Sequence, residues 1–335
     1  MRKYNSGDYV FASAFIRCRE KYLLTQDRVD KMLDSKTPDD ALKVLYDLDY
    51  GDGNAEVPAS EFEFLLSKEL EKNYNMVLSL APEPECFAVF LYPNDYHNIK
   101  TLLKAEFLGS NADEILMDTG SIPLARLVDL VRNRNYTDMR LEMAKGIQEV
   151  IDTYATSQDP QVIDLILDRV CYQEINLAMA NFKNSFVKGY IALKIDTINL
   201  KSFVRAKEMK KPWDFFSNIY IEGGNVPERL FISGYDEALE QFAEKLGIYG
   251  LSALLLEGSH MIKETGRFTA LEKLCDNHLI DYARDAKYIS YGIQPLISYL
   301  AAKENEVKTA RIVLAGKLAN IPSELIRERI RNTYV

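Results

Sequence analysis

Asp47, Asp49 and Asp52 are the residue type that a calcium loop needs. An EF-hand loop takes its oxygens from fixed positions and turns sharply at a glycine in its sixth. Here the spacing fails and Gly51 stands in the wrong place. His97, His260 and His278 have no HExxH partner. Asp39-Asp40 lacks the further carboxylate of a DDxxD metal pattern. Gly316-Lys317 has no glycine five residues earlier and Leu318 follows the lysine, so no phosphate-cradling P-loop is present. There is no GxSxG and no Cys/His signature. Cys18, Cys86, Cys171 and Cys275 are scattered singly and read as free thiols of a reducing compartment. Gly223-Gly224 reads as a turn. The sequence thus offers no catalytic, cofactor-binding or metal-binding set, and no reason to expect an enzyme.

What does recur is a polar phrase. Residues 95–106 read DYHNIKTLLKAE and residues 196–207 read DTINLKSFVRAK, an interval of 101 residues. Asp95, Asn98, Ile99, Lys100, Leu103, Lys104 and Ala105 meet Asp196, Asn199, Leu200, Lys201, Val204, Arg205 and Ala206. A worn third copy starts near Lys303, with Glu306, Val307 and Lys308 where Asn199, Leu200 and Lys201 fell. A period near one third of the chain predicts three related units, divided as 1–120, 121–226 and 227–335, with the N-terminal segment free to pack on the last. On a helix, Ile99, Leu102, Leu103 and Glu106, and likewise Leu200, Phe203, Val204 and Lys207, form an apolar stripe ending in a charge. Lys100 with Lys104, and Lys201 with Arg205, are like-charge i,i+4 pairs, each costing a few tenths of a kcal/mol. Something is expected to compensate: solvent, or an anionic partner surface. Lys100, Lys104, Lys201, Arg205 and Lys308 are therefore the candidate partner-binding residues. The third copy has Ile312 opposite Lys308, which argues against a three-fold ionic ring. Asp95 and Asp196 suit helix caps or a bend where two helices meet.

The elements that must carry these residues read as helices. A helix is expected over 8–24, and another after Thr37-Pro38, with Thr as cap and Pro at the first position. Tyr50 to Asn54 is a turn. A long helix covers 60–80 and ends at Pro82 and Pro84. The phrases Gly120-Ser-Ile-Pro123, Gly224-Asn-Val-Pro227 and Asn320-Ile-Pro322 each precede a new helical pattern. Residues 161–211 are helix-forming almost throughout, Trp213 to Gly224 reads as a loop, and 236–246, 269–288 and 294–319 as helix. No run alternates as a strand would. The fold class is all-α.

The 335 residues suffice for two or three modest domains. A net charge of −9 argues against binding nucleic acid or anionic lipid. Val10 to Ile16 is too short and too closely flanked by charge for a secretory signal. The most apolar window, Leu246 to Leu256, is about half of the ~20 residues that a membrane span needs, so no direct insertion is expected.

Taken with their order and spacing, several stretches resemble one family: YVFASAFIRCREKYLL (Tyr9–Leu24), Leu45-Tyr-Asp-Leu-Asp-Tyr50, Asn94–Lys100, Asp196–Lys201, the loop from Phe215-Phe216 to Gly224, Lys303–Val307 and the Arg-Asn-Thr-Tyr-Val end. Through essentially its whole length the chain resembles the C subunit of bacterial and archaeal V/A-type rotary ATPases, the relative of the d subunit of eukaryotic V-ATPases. Phe15 departs from it, standing where the family often has Arg. The resemblance implies a non-catalytic rotor part with no cofactor. It implies three similar helical subdomains around a pseudo-three-fold axis, in a funnel. As partners it implies the D and F subunits of the central stalk and a membrane rotor ring of c/K-type proteolipid subunits, with a single copy of the chain held on the cytoplasmic face. The rival expectation is a free-standing helical scaffold, which would show shorter repeats of 34–47 residues; none is seen.

Overall fold

The computed structural model describes residues 5–51, 57–111, 115–180 and 182–335, and among them there are helices and no strands. The all-α expectation holds. The chain forms two compact units, one of residues up to Pro84 together with Glu257–Val335, the other of Glu85–Leu256.

The first unit opens with α1 (Val10–Arg19), α2 (Gln26–Asp34), α3 (Pro38–Tyr46) and α4 (Phe62–Leu80). Thr37 caps α3 as expected, its hydroxyl accepting from the Asp40 N–H at 3.1 Å, with Pro38 in the first turn. The turn expected at Tyr50 to Asn54 lies in part outside the described residues. The second unit holds α5 (Glu85–Ala88), α6 (Tyr92–Leu108), α7 (Leu124–Arg132), α8 (Leu141–Ser157), α9 (Gln161–Met179), α10 (Ser185–Glu208), α11 (Trp213–Ile219), α12 (Glu228–Gly234) and α13 (Leu239–Lys245). The division between units falls within α14 (Ser252–Thr265); α15 (Thr269–Arg284), α16 (Ile293–Leu318) and α17 (Ser323–Arg327) return to the first unit.

Two expectations need correction. The helix-forming run 161–211 is two helices, because Asn184 starts a new one: its side chain accepts from the Val187 N–H at 3.1 Å. Trp213 to Gly224 is not all loop. Pro212 ends α10's run and leads into α11, whose Phe216 is buried. Short helices escape sequence periodicity because the apolar pattern has too few turns to show.

Each unit has its own core. In the first, α2, α3 and the start of α4 close over the second half of α16, with Val29, Met32, Leu42, Leu66, Val313 and Leu314 all buried. In the second, Phe203 of α10 is ringed by Phe216, Phe231, Tyr235 and Phe242 at centroid separations of 4.6–5.6 Å, within the range where aromatic pairs attract. Of the long helices α16 is the most buried, and it encloses polar as well as apolar side chains, Lys303, Asn305 and Glu306 among them.

Candidate partner-binding faces and the junctions beneath them

The repeated phrase is a device for holding the next segment of chain. In α6, Asn98 Nδ2 donates to the Met117 carbonyl and its Oδ1 accepts from the Met117 N–H, both at 2.8 Å. In α10, Asn199 does the same to Ile221, at 2.7 and 2.9 Å. A primary amide has one donor and one acceptor side, so it replaces both strand-like bonds of one residue. One turn earlier, Asp95 accepts from the Ser121 hydroxyl and from the Ile122 N–H at 3.2 Å. Asp196 accepts from the Asn225 N–H and side chain, at 2.9 and 2.8 Å, and from the Val226 N–H at 2.9 Å. Both aspartates are buried within helices; they neither cap nor mark a bend. A Cβ on Gly120 would lie 2.3 Å from Asp95 Oδ1, and one on Gly224 would lie 2.2 Å from Asp196 Oδ1. The Gly-x-x-Pro phrase is thus the loop that these carboxylates grip, and glycine is needed where backbone meets carboxylate.

The third copy performs the same task with other chemistry. Glu306 Oε2 accepts from the Leu24 N–H at 2.5 Å, just ahead of α2. A carboxylate has no donor, so the carbonyl half of the grip is gone. Its Oε1 accepts instead from the Tyr50 hydroxyl at 2.6 Å and from Lys303 Nζ at 2.8 Å. Lys303, standing where Asp95 and Asp196 stood, also donates to Glu69 Oε1 of α4 at 2.9 Å. A second grip follows near the end of each long helix. Lys207 donates to the Gly234, Tyr235 and Glu237 carbonyls at and just past the end of α12, and Lys317 to the Leu33 and Ser35 carbonyls at and just past the end of α2. In α6 the polarity is reversed: Glu106 accepts from Arg134 past α7.

Burial shifts the titration of these groups. Desolvation raises the Asp196 carboxyl above its usual range, with the Val226 and Asn225 N–H groups opposing it. Burial works to neutralise Lys303, but Glu306 and Glu69 outweigh it and hold the ammonium above its usual range. Arg140 behaves similarly: burial opposes its charge, and Glu174 and Asp95 more than restore it. It bonds Glu174 at 2.8 Å, Asp95 at 3.1 Å and Ser121 at 2.6 Å, and its guanidinium lies 3.9 Å over the Tyr92 ring.

The candidate basic residues divide. Lys100 pairs with Asp168 at 2.7 Å and Lys104 with Asp164 at 2.6 Å, both acids on α9. The compensation for this like-charge pair therefore comes from within the unit. The hint was readable: Asp164 and Asp168 repeat the i,i+4 spacing of the lysines. Lys308 lies 3.3 Å from Asp276 of α15. Lys201 makes no ion pair among the described residues, and Arg205 is exposed one turn along the same helix. Arg140 and Glu69 were not singled out from sequence, because their partners lie 45 and 234 residues away. Phe15 is exposed and its ring is tilted 40° to that of Phe11, with centroids 6.4 Å apart. No group of three or more His, Cys, Asp or Glu among the described residues is arranged to hold a metal.

The same long-range order is shared with known proteins. Over 327 residues the chain is 26% identical to the C subunit of the V-type sodium ATPase of Enterococcus hirae, covering 98% of this chain and 99% of that one. It is 23% identical over 350 residues to the C subunit of the A-type ATP synthase of Methanocaldococcus jannaschii, covering 95% and 85%. It is 24% identical over 343 residues to that of Methanobrevibacter smithii, covering 96% and 88%. The family model described as "ATP synthase (C/AC39) subunit" matches residues 12–329. With nearly every helix and all three junctions inside that match, the chain belongs to the ATP synthase (C/AC39) subunit family.

Proposed function

We propose that the chain is a non-catalytic rotor subunit of a V/A-type rotary ATPase. In this reading it sits on the cytoplasmic face of the membrane rotor ring and receives the central stalk, built from the D and F subunits. It couples ATP hydrolysis or synthesis to proton or sodium transport. The observation that carries the reading is the family match from residue 12 to residue 329, with relatives named as C subunits of V-type and A-type complexes. The physical properties are in keeping with it. Among the described residues no helix is long and apolar enough to cross a membrane, so attachment falls to protein partners. Close-packed helices resist deformation, as a part that passes torque must.

The three-fold recurrence of the junctions supports three units, near 1–120, 121–226 and 227–335, arranged about a pseudo-three-fold axis as a funnel whose cavity takes the stalk. Of the five basic candidates, we assign Lys201, which makes no ion pair among the described residues, to stalk contact; Arg205 is exposed one turn along the same helix. Lys100, Lys104 and Lys308 already face acids of their own units. Titration calorimetry of the purified chain with a purified D–F complex, at two salt concentrations, tests this. Saturable one-to-one binding is expected. Lys201→Glu with Arg205→Glu should weaken it while the helical circular dichroism is kept. A folded chain that binds neither D–F nor the isolated ring would return the free-standing scaffold.

A further inference from the structure

α4 and α16 run antiparallel, with polar rungs between them. Tyr299 donates to Asn73 at 2.6 Å, Lys303 pairs with Glu69 at 2.9 Å, and Arg311 pairs with Glu63 at 2.8 Å. The middle rung is fully buried, and Glu306 adds a second carboxylate to Lys303 at 2.8 Å. A buried ion network of this kind contributes little stability compared with apolar side chains of similar size. Its effect is on register. One helical turn is 3.6 residues. A slip of one turn brings Lys303 beside Leu65 and Leu66 or beside Asn73, and brings Glu69 beside Val307 or Tyr299. Either slip breaks the one buried ion pair that joins the two helices, leaving Lys303 with Glu306 alone and Glu69 with Lys72, 3.1 Å away on its own helix. The exposed rungs between α6 and α9 have no such property. There Lys100, Lys104, Asp164 and Asp168 repeat at one-turn intervals, and Lys100 already lies 3.9 Å from Asp164 as well as 2.7 Å from Asp168. A one-turn slip would re-pair one lysine and leave the other charges in solvent.

We propose that Lys303, Glu69 and Glu306 form a register lock that makes α4 and α16 move as one body under load, and that this lock is required for coupling rather than for folding. The proposal rests on the rotor reading. Lys303 and Glu69 are positioning residues: they act through the helices that they hold together.

The test uses the whole ATPase, assembled with this chain and reconstituted in vesicles, with ATP hydrolysis and cation uptake measured together. The variant replaces the lock by apolar and neutral groups, Lys303→Met with Glu69→Leu and Glu306→Gln; the glutamine keeps an acceptor for the Leu24 N–H. The expected result is an unchanged or raised thermal midpoint, normal assembly, continued hydrolysis and loss of cation uptake. Thiols at Glu63→Cys and Arg311→Cys, placed in a Cys18→Ser, Cys86→Ser background and joined by a short bifunctional crosslinker, should restore uptake in the lock variant. Full uptake per ATP by the assembled lock variant would overturn the proposal. So would loss of uptake that tracks a lowered thermal midpoint and is not rescued by the crosslink. Failure of the unaltered chain to support uptake would instead count against the rotor reading itself.

Discussion

Lys303 and Glu69 are 234 residues apart in the chain, yet their charged atoms lie 2.9 Å apart with both side chains fully buried. Removing the lysine takes the buried cation from two carboxylates at once, leaving Glu306 without a cation and Glu69 with only Lys72 at 3.1 Å. Lys303→Met alone is expected to cost about 3–5 kcal/mol, the usual range for breaking a buried pair, and adding Glu69→Leu and Glu306→Gln should recover most of it. Urea unfolding of the single and triple variants checks this; equal stability of the two would show that the carboxylates find other partners.

The same lysine gives the first unit an alkaline limit. Its folded-state pKa is raised above the ordinary 10.5 by Glu306 and Glu69, against the opposing effect of burial. A raised folded pKa means that the folded state binds the proton more tightly. The stabilisation is therefore complete below 10.5 and is lost as pH rises above it. Tyr299, pushed up to about 12 chiefly by burial, adds a loss of the same sign. Denaturant midpoints of wild type and Lys303→Met, measured from pH 9 upward, should converge as the pH rises. A constant gap would contradict the assignment.

Gly120 and Gly224 admit no side chain. Alanine at either meets an aspartate oxygen at 2.3 or 2.2 Å, and overpacking of this kind costs about 1–3 kcal/mol. Gly247 has no neighbour within 4 Å of the added carbon, so Gly247→Ala should stay within about 0.5 kcal/mol of wild type. Thermal melts of the three variants give the comparison; a neutral Gly224→Ala would mean that the loop has room to move away from α10.

Asn199 serves both backbone groups of Ile221, a buried residue. Asn199→Ala leaves a buried donor and acceptor unpaired, each worth about 1–3 kcal/mol. Hydrogen exchange should show the Ile221 amide losing protection while the Met117 amide, held by Asn98, keeps its own. Loss at both sites would indicate general loosening rather than one broken junction.

The pairs of α6 with α9 are weaker by nature. Asp164 and Asp168 are both partly exposed, and exposed pairs contribute about 0.2–1 kcal/mol each. A double-mutant cycle of Lys100→Ala with Asp168→Ala should give a coupling in that range, falling at high salt.

Sequence alone was enough for the fold class and for the repeat. Helical periodicity, Thr37-Pro38, the Gly-x-x-Pro phrases and the spacing of Asp95 with Asn98 and of Asp196 with Asn199 are local patterns, and local patterns follow from the helix repeat itself. The alignment of Glu306 with Asn199 was also legible, since equivalent positions keep their offset even when the residue changes. What each polar group grips was not. Asp95, Asn98 and their counterparts face chain 19–30 residues on, Glu306 faces Leu24 at 282 residues, and Lys100 faces α9. Only packing sets those pairings, because a helix position specifies a direction and tertiary structure decides what stands there. The same packing turned Lys303, from sequence a worn copy of an aspartate, into a buried cation between two carboxylates, since a charge can be buried only where its partners are brought to meet it.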